Sequence, residues 1–413
     1  MDFKKNTFQK NRYAVIAAFI LLNSFCLVKA QPQLSDDAVI SILTCSPGEE
    51  LYATFGHTSI RVNDPANNID LAYNYGTFDF HVDWFYLKFA RGGLNYKLSV
   101  HPYNSFWFEY KNDERSIWEQ TLNLSQNEKQ RLFEALTVNA QPENREYKYH
   151  FFFDNCATRI RDMIVDNLDC TLKFEEPDYV GTMTFRTTIA TYLEKKTWTK
   201  FGLDLILGKP TDDFVDKNSV QFLPDYLMEQ LALARRDSDN SMIVANTNTI
   251  LEFDNYSQKT FWTPVIIFSI VCLIVILISI YDFRKNKCSR WLDFILFSAA
   301  GLLGVLIVFL WFFTSHTVTG PNWHILWANP LLLILMFINS YSTGYKYFTF
   351  ILVGLQFFCL LCFAAFTQYM PLTLIPIWIM LIIRMFLRFS EVRHFYVVNQ
   401  KRKKNADNAN NLQ

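Results

Sequence analysis

The chain has 413 residues, of which 51% are apolar and 17% aromatic, and its formal net charge at pH 7 is +0. This length allows two domains, and the apolar residues are concentrated in the C-terminal half. The neutral charge and the lack of a lysine-rich face give no indication of nucleic-acid binding.

Residues 1–30 have the pattern of a secretory signal peptide. A basic start with Lys4, Lys5, Lys10 and Arg12 precedes an apolar core, and "VKA" ends the segment as a small-residue cleavage site. The core is also long enough for an uncleaved membrane anchor, which is the alternative. Either interpretation predicts that the sequence that follows is exported.

Residues 31–259 form the predicted exported domain. Strand patterns occur in "HTSIRVND", "IDLAYNYGTFDF", "LNYKLSV", "RSIWEQTLNL" and "MIVANTNTILEF". Helix patterns occur in "VDWFYLKFA", "QNEKQRLFEALTVNA", "TFRTTIATYLEKK", "WTKFGLDLILGKP" and "PDYLMEQLALARR". Ser125 and Glu128 form a capping box at the start of the second of these helices. Strands and helices are partly segregated along the chain, which predicts an α+β fold.

The exported domain contains three of the eight cysteines, Cys45, Cys156 and Cys170. An odd number in an oxidising compartment leaves at least one thiol free or paired between chains. A disulfide between Cys45 and Cys170 is one possibility, and it leaves Cys156 as the free thiol. The four cysteines of the C-terminal half are predicted to be packing residues.

Cys156 lies between a predicted strand and a predicted helix. Residues 147–153 alternate as a strand does, and from Ala157 onward apolar residues recur at helical spacing. Asp154 or Asn155 can cap this helix, so that Cys156 falls in its first turn. Free backbone N–H groups there favour a thiolate and can bind the oxyanion of an attacked carbonyl. We predict that Cys156 is a nucleophile, with a buried structural cysteine as the alternative.

His57 is the predicted base for this thiol. In "HTSIRV", His57, Ser59 and Arg61 alternate with Thr58, Ile60 and Val62, so that a strand has one polar and one mostly apolar face. A neutral imidazole is the usual base for a thiol, and a third group normally orients the ring. Asn74, in the next strand, is our candidate for that group, with Asp79 as the substitute.

No metal or organic cofactor is predicted. Asp212, Asp213 and Asp216 form an acidic cluster, but no histidine or further carboxylate is near them in sequence. A solvated helix start explains this cluster better than a metal site does.

The C-terminal half, residues 260–391, is predicted to cross a membrane five times. The apolar stretches are residues 261–281, 291–313, 325–341, 347–366 and 372–389. Basic residues lie between the first and second stretch, between the third and fourth, and in the tail, residues 392–413. The positive-inside rule makes these three segments cytoplasmic, which places the exported domain outside the cytoplasm.

Five polar residues are candidates for substrate contact. Arg61 shares the polar strand face with His57, Arg159 follows Cys156 by one turn, and Asn155 precedes the cysteine. Asn322 and His324 lie in the first outer loop, where they could form the floor of a site or simply act as interfacial anchors.

The order of a histidine strand followed by a cysteine helix resembles the permuted papain-like (NlpC/P60-type) fold, which includes the lecithin:retinol acyltransferase-like enzymes. The motifs "LTCSPGEELYATFGHTSIRV", "YNYGTFDF", "DNCATRIRD", "FGLDLILGKPTDD", "FLPDYL" and "GPNWHILWANP" together resemble the Bacteroidota lipoprotein N-acyltransferases, the Lnb family. This resemblance extends over nearly the whole chain after the signal peptide.

The resemblance implies that Cys156 and His57 move an acyl chain from a membrane phospholipid, through a thioester, to the α-amine of a diacylglyceryl-cysteine apolipoprotein. It also implies an inner-membrane location with the catalytic domain in the periplasm, and no cofactor. One alternative is a membrane-anchored papain-like cysteine hydrolase that cuts cell-wall or lipid substrates. Another is a sensor or assembly factor without catalysis, against which the intact Cys–His pair argues.

Overall fold

The computed structural model of the chain describes residues 32–254, 260–337 and 343–389. The predicted signal peptide and the basic tail lie outside the described residues. The described part consists of an N-terminal domain built on a sheet and a C-terminal helical region.

A seven-stranded antiparallel sheet organises the N-terminal domain. Its strand order is β6-β4-β3-β2-β1-β5-β9, with β2 at the centre. The strands are β1 (Val39–Cys45), β2 (His57–Asp64), β3 (Ile69–Thr77), β4 (Asn95–Pro102), β5 (Ile117–Leu122), β6 (Glu146–Lys148) and β9 (Val244–Leu251). A separate pair is formed by β7 (Leu172–Lys173) and β8 (Arg235–Arg236).

Helices cover both faces of the sheet. The larger core lies where Ile60 and Val62 of β2 meet α3 (Gln126–Asn139), α4 (Cys156–Val165) and α7 (Pro224–Leu233). The other face carries Leu43, Cys45 and Ala72 under α2 (Tyr103–Asn112). The alternation of side chains along β1 and β2 therefore separates two apolar layers.

Local sequence signals account for most of the predicted elements. The side chain of Ser125 accepts the N–H of Glu128 and the Glu128 side chain accepts the N–H of Ser125, so the predicted capping box is confirmed. The predicted helices before and after it are α1 (Phe85–Ala90), α5 (Phe185–Tyr192), α6 (Thr197–Ile206) and α7. Gly92, at φ +67°, follows α1.

The predicted strand over residues 147–153 is wrong beyond its start. β6 ends at Lys148, because its partner β4 begins at Asn95, the residue that pairs with Lys148. Residues beyond Lys148 have no strand to pair with, and the chain turns. Phe152 then packs against Phe185 and Phe222 in a third apolar cluster.

The acidic cluster is also not simply solvated. Asp212 accepts Arg186 Nε at 2.7 Å, and both side chains are buried. Arg186 additionally pairs with Asp204 at 3.4 Å. Asp213 pairs with Lys209 on the surface, and Asp216 accepts the backbone N–H of Ser219.

The helical region contains α8 (Pro264–Lys285), α9 (Arg290–Phe312), α10 (Leu331–Phe337), α11 (Thr343–Leu361) and a last helix over residues 374–389, α12. Among the described helices, α8 and α9 are long and apolar enough to cross a membrane. The fully buried Arg384 of α12 joins them, with ion pairs of 2.7 Å to Asp282 and 2.6 Å to Asp293. Paired charges of this kind are how ionisable groups persist between apolar helices.

Backbone and side-chain hydrogen bonds tie the two parts of the chain together. The N–H of Gly208 donates to Val318 O (2.8 Å), and that of Lys209 to Pro321 O (2.8 Å). A Cβ at Gly208 would lie 2.5 Å from Pro321 O, so only glycine permits this approach. We call this contact, between residues 204–209 and 318–324, the joint.

Candidate active site

β2 and β3 are not paired at the end of the sheet where β2 begins, and we call the gap between them there the opening. The two strands pair only from Ile60↔Tyr73, although β2 begins at His57 and β3 continues to Thr77. The pairing of β3 with β4 shifts register in the same stretch, between Asn74 and Thr77. This end of the sheet faces the helical region, because Arg91, just before β4, accepts the N–H of Ser315, and His150, just after β6, hydrogen-bonds to Thr317.

Cys156 is presented to this opening by the first turn of α4. Its N-cap is Asn155, whose Oδ1 accepts the N–H of Thr158 (2.9 Å), while Thr158 Oγ1 accepts the N–H of Asn155 (2.8 Å). The predicted cap by Asn155 is confirmed. Ala157 and Ile160 are fully buried against the sheet and hold the helix in place.

Hydrogen-bond donors act on the sulfur of Cys156. Burial raises the pKa of the Cys156 thiol, while the backbone N–H groups of Thr58, Ala157 and Cys156 itself and the Tyr149 hydroxyl lower that pKa. The first-turn N–H groups have no intrahelical acceptor, which is why they are available here. The thiol is therefore neutral at rest, with donors placed to stabilise negative charge that develops beside it.

Gly76 forms the other side of the opening. It has φ +85°, and a Cβ on it would lie 3.2 Å from Tyr149 Cε2 and 3.6 Å from Cys156 Cβ. An L side chain is both strained at this φ and crowded by these atoms. Glycine thus lets β3 approach the cysteine closely.

His57 and Asn74 span the opening from β2 to β3. His57 Nε2–H donates to Asn74 Oδ1 at 3.3 Å, which leaves Nδ1 as the basic nitrogen. Burial, and next the Arg115 guanidinium, lower the pKa of His57 to about 4, while the Asn74 hydrogen bond raises it. The ring is neutral at pH 7, as a general base must be.

The side chains of Cys156 and His57 lie on opposite faces of the sheet, near the opening. His57 is paired directly with Cys45 and points to the α2 face with it, whereas Cys156 belongs to the core on the α4 face. The Thr58 N–H that acts on the sulfur is in the peptide bond that follows His57. The backbone of β2 next to His57 therefore lies close to the cysteine, whereas the two side chains are on opposite faces of the sheet and their catalytic roles remain predictions.

Tyr149 and Arg115 were not identified from the sequence. Tyr149 borders Cys156 and stacks on Tyr96 at a centroid distance of 4.4 Å. Tyr149 was interpreted as an ordinary strand residue, because residues 147–153 alternate as a strand does. Arg115 donates to Ser46 O (2.9 Å) and lies over the Tyr110 ring, and nothing in its local sequence marked it.

Two of the candidate substrate contacts hold the cysteine helix in position. Asn155 uses its side-chain amide to donate to Phe151 O and Phe222 O, both at 2.7 Å. Arg159 forms a bidentate pair with Asp154 (2.6 and 2.8 Å). Their polar groups are engaged within the protein.

The other three candidate contacts have structural partners away from the cysteine. Arg61 pairs with Asp70 (2.8 Å) and with Glu119 (3.2 Å). Asn322 and His324, which are buried, belong to the joint, where they hydrogen-bond to the backbone carbonyls of Leu205 (2.9 Å) and Asp204 (3.1 Å) respectively. Asp79, the substitute for Asn74, instead pairs with His81 on the surface.

The cysteines of the N-terminal domain are free thiols. Cys45 is buried in the sheet, and burial raises the pKa of its thiol to about 12. Cys170 lies 3.6 Å from Arg236, so the possible Cys45–Cys170 disulfide is absent. No cluster of three or more potential metal ligands occurs among the described residues.

Two family models match the chain. The Lnb N-terminal periplasmic domain matches residues 29–191, and the Lnb transmembrane domain matches residues 256–394. No curated protein and no solved structure matches it.

Proposed function

The chain belongs to the Lnb family, and from this premise we propose that it is a lipoprotein N-acyltransferase with Cys156 as its nucleophile. The observation that carries the proposal is the environment of the sulfur. A cysteine in the first turn of a capped helix meets backbone N–H groups, including that of Thr58, which follows a neutral histidine held by an asparagine. A buried packing cysteine has no need of these groups.

In the first step, the Cys156 sulfur attacks the carbonyl carbon of a phospholipid acyl ester. His57 Nδ1, reached across the opening from the α2 face, accepts the thiol proton as the C–S bond forms, since the thiol and the imidazole are both neutral at rest. The N–H groups of Thr58 and Ala157 support the oxyanion. The ester C–O bond then breaks, the proton passes from His57 to the departing oxygen, and lysophospholipid leaves.

In the second step, the α-amine of a diacylglyceryl-cysteine attacks the thioester carbonyl. His57 accepts the amine proton, the C–S bond breaks, and the sulfur recovers the proton as a thiol. The products are an amide on the lipoprotein and the free enzyme. Asn74 keeps Nδ1 of His57 available in both steps because its Oδ1 holds the proton on Nε2.

The proposed setting is the outer leaflet of the inner membrane, where both substrates reside. The N-terminal domain is then a permuted papain-like unit in the periplasm, above a helical region that crosses the membrane five times. The helical region supplies a docking surface for lipid substrates, and the joint keeps the opening near it.

The test supplies the full-length protein with phospholipid and a synthetic diacylated lipopeptide and determines the product mass. We expect a gain of one acyl chain on the lipopeptide and release of lysophospholipid. Cys156→Ala should abolish the gain, and Cys45→Ala should retain it. Release of fatty acid without acylated lipopeptide, or cleavage of the peptide, would instead indicate the hydrolase.

A further inference from the structure

Resting on the proposed function, we infer that residues 78–89, here called the aromatic segment, insert into the outer leaflet and guide the donor phospholipid to Cys156. The segment consists of the loop that follows β3, residues 78–84, and the part of α1 up to Phe89. It is a lipid-binding surface separate from the residues that perform the acyl transfer.

The aromatic segment exposes an unusual number of large apolar side chains. Trp84 is 78% exposed and Tyr86 is 83% exposed, and Phe80, Leu87 and Phe89 are about half exposed or more. A contiguous apolar surface of this kind usually marks an interaction site. Trp84 also adopts φ +59°, which is rare for a bulky residue, so its exposed position is maintained at a conformational cost.

The helical region lies directly beside the aromatic segment. The N–H of Ser315 donates to Arg91 O (2.9 Å), and His316 Nε2 donates to Phe89 O (3.2 Å). Both donors follow within four residues of the end of α9, one of the two helices able to span a membrane. The segment is therefore held at the level where α9 leaves the bilayer.

A continuous row of rings connects the segment with the nucleophile. Phe85 of α1 stacks on Phe78 (centroid distance 5.9 Å), and Phe78 contacts Tyr96 (5.2 Å). Tyr96 stacks on Tyr149 (4.4 Å), which borders Cys156. This row provides an apolar wall along which an acyl chain can reach the sulfur.

The chemistry of the surface favours a phospholipid as its occupant. Trp and Tyr side chains concentrate at membrane–water interfaces because their rings are apolar and their N–H or O–H groups are polar. Lys88 and Arg91, both exposed, place positive charge at the C-terminal end of α1, where it can meet lipid phosphates, while the exposed carboxylates Asp79 and Asp83 lie before α1. The surface of a phospholipid bilayer offers both an interfacial region for the aromatic rings and phosphates for the basic side chains.

Photo-crosslinking tests the membrane contact without requiring catalysis. The full-length Cys156→Ala protein, with p-benzoylphenylalanine at Tyr86, is placed in vesicles of phosphatidylethanolamine and phosphatidylglycerol and irradiated. We expect a protein mass increase of one phospholipid. The control carries the same residue at Ala66, which is exposed in the loop after β2, at the opposite end of the sheet. Equal phospholipid labelling at both positions, or only protein–protein adducts at Tyr86, would overturn the inference.

A kinetic test connects this contact with donor use. In the same vesicles, the variant Trp84→Ser, Tyr86→Ser, Leu87→Ser should acylate Cys156 about tenfold more slowly, because three apolar side chains lose lipid contact. Phe108→Ser, which removes an exposed ring elsewhere, should match wild type. An unchanged rate in the triple variant contradicts the inference while the proposed function stands. Crosslinking at Tyr86 with no acyl transfer by wild type contradicts the proposed function alone.

Discussion

Replacing Asn74 tests whether it orients the proposed base. Its Oδ1 accepts a hydrogen bond from Nε2 of the neutral His57 ring, at 3.3 Å. As His57 takes the thiol proton, this contact becomes a hydrogen bond from a charged donor, worth about 2 kcal/mol. Asn74→Ala should therefore slow Cys156 acylation about 30-fold. The rate is measured as the single-turnover burst of lysophospholipid.

The pH dependence of the same burst provides a second readout. Because the pKa of His57 is lowered to about 4, the base stays deprotonated above that pH, and the wild-type rate should not fall from neutral pH to about pH 5. In Asn74→Asp, a carboxylate beside the ring stabilises the imidazolium and raises its pKa. The acidic limb of the rate profile should then move to higher pH.

Asn74 is buried, so the folding of both variants is checked by thermal unfolding. A folded Asn74→Ala protein with a rate within about twofold of wild type would refute the orienting role, since the lost hydrogen bond should cost far more. An acidic limb that does not move in Asn74→Asp would refute the assignment of His57 as the titrating base.

Three further perturbations address the opening, the core and the joint. Gly76→Ala should destabilise the fold by about 1–2 kcal/mol and slow Cys156 acylation. The reason is that φ +85° is strained for alanine and the new Cβ would lie 3.2 Å from Tyr149 Cε2. An unchanged melting temperature and an unchanged acylation rate would contradict this. Glu128→Gln should cost about 3 kcal/mol in denaturant unfolding, because the carboxylate binds Arg236 at 2.7 Å in a buried pair. In the folded protein, burial raises the pKa of the Glu128 carboxyl, but hydrogen bonds, first of all from Arg236, lower it more, so that the pKa falls from 4.5 to about 2. The ion pair therefore contributes its full stabilisation above about pH 4.5 and loses it as the pH falls toward 2. Over that range the difference in free energy of unfolding between Glu128→Gln and wild type should disappear. A difference that does not depend on pH would contradict the assignment. His324→Ala should cost about 1–3 kcal/mol of stability by removing a buried hydrogen-bonding residue of the joint. An unchanged melting temperature with a higher KM for the lipopeptide would instead indicate that His324 contacts the substrate.

Local side-chain chemistry made several elements predictable from the sequence. Ser125 and Glu128 satisfy each other's backbone groups, and Asn155 caps the helix that follows it, wherever these segments lie in the fold. The start of α4 at Cys156 follows from that cap. The position of the candidate nucleophile was therefore accessible before any tertiary contact was known.

Features that depend on distant partners were not predictable. Tyr149 was assigned to a strand, and only the position of Asn95 in β4 shows that β6 has no partner beyond Lys148. Arg61 has the spacing of a polar-face residue, yet its partner Glu119 lies 58 positions away. Sequence spacing within one segment carries no information about such pairs.

The residues of the joint illustrate the same limit. Asn322 and His324 are polar residues of an outer loop, so their sequence is equally compatible with contact to a substrate. Their acceptors, the carbonyls of Leu205 and Asp204, are more than 100 positions earlier in the chain. Substrate contact by Asn322 and His324 therefore stays a prediction, which the His324→Ala variant tests.

The most direct test of the central claim is the intact mass of the protein after incubation with phospholipid in the absence of a lipopeptide acceptor. The account predicts one acyl chain on Cys156, removed by hydroxylamine as a thioester is, absent in Cys156→Ala and retained in Cys45→Ala. Addition of the diacylated lipopeptide should discharge this chain into the product. Full acyl transfer by Cys156→Ala, or an acyl chain on another residue, would contradict it.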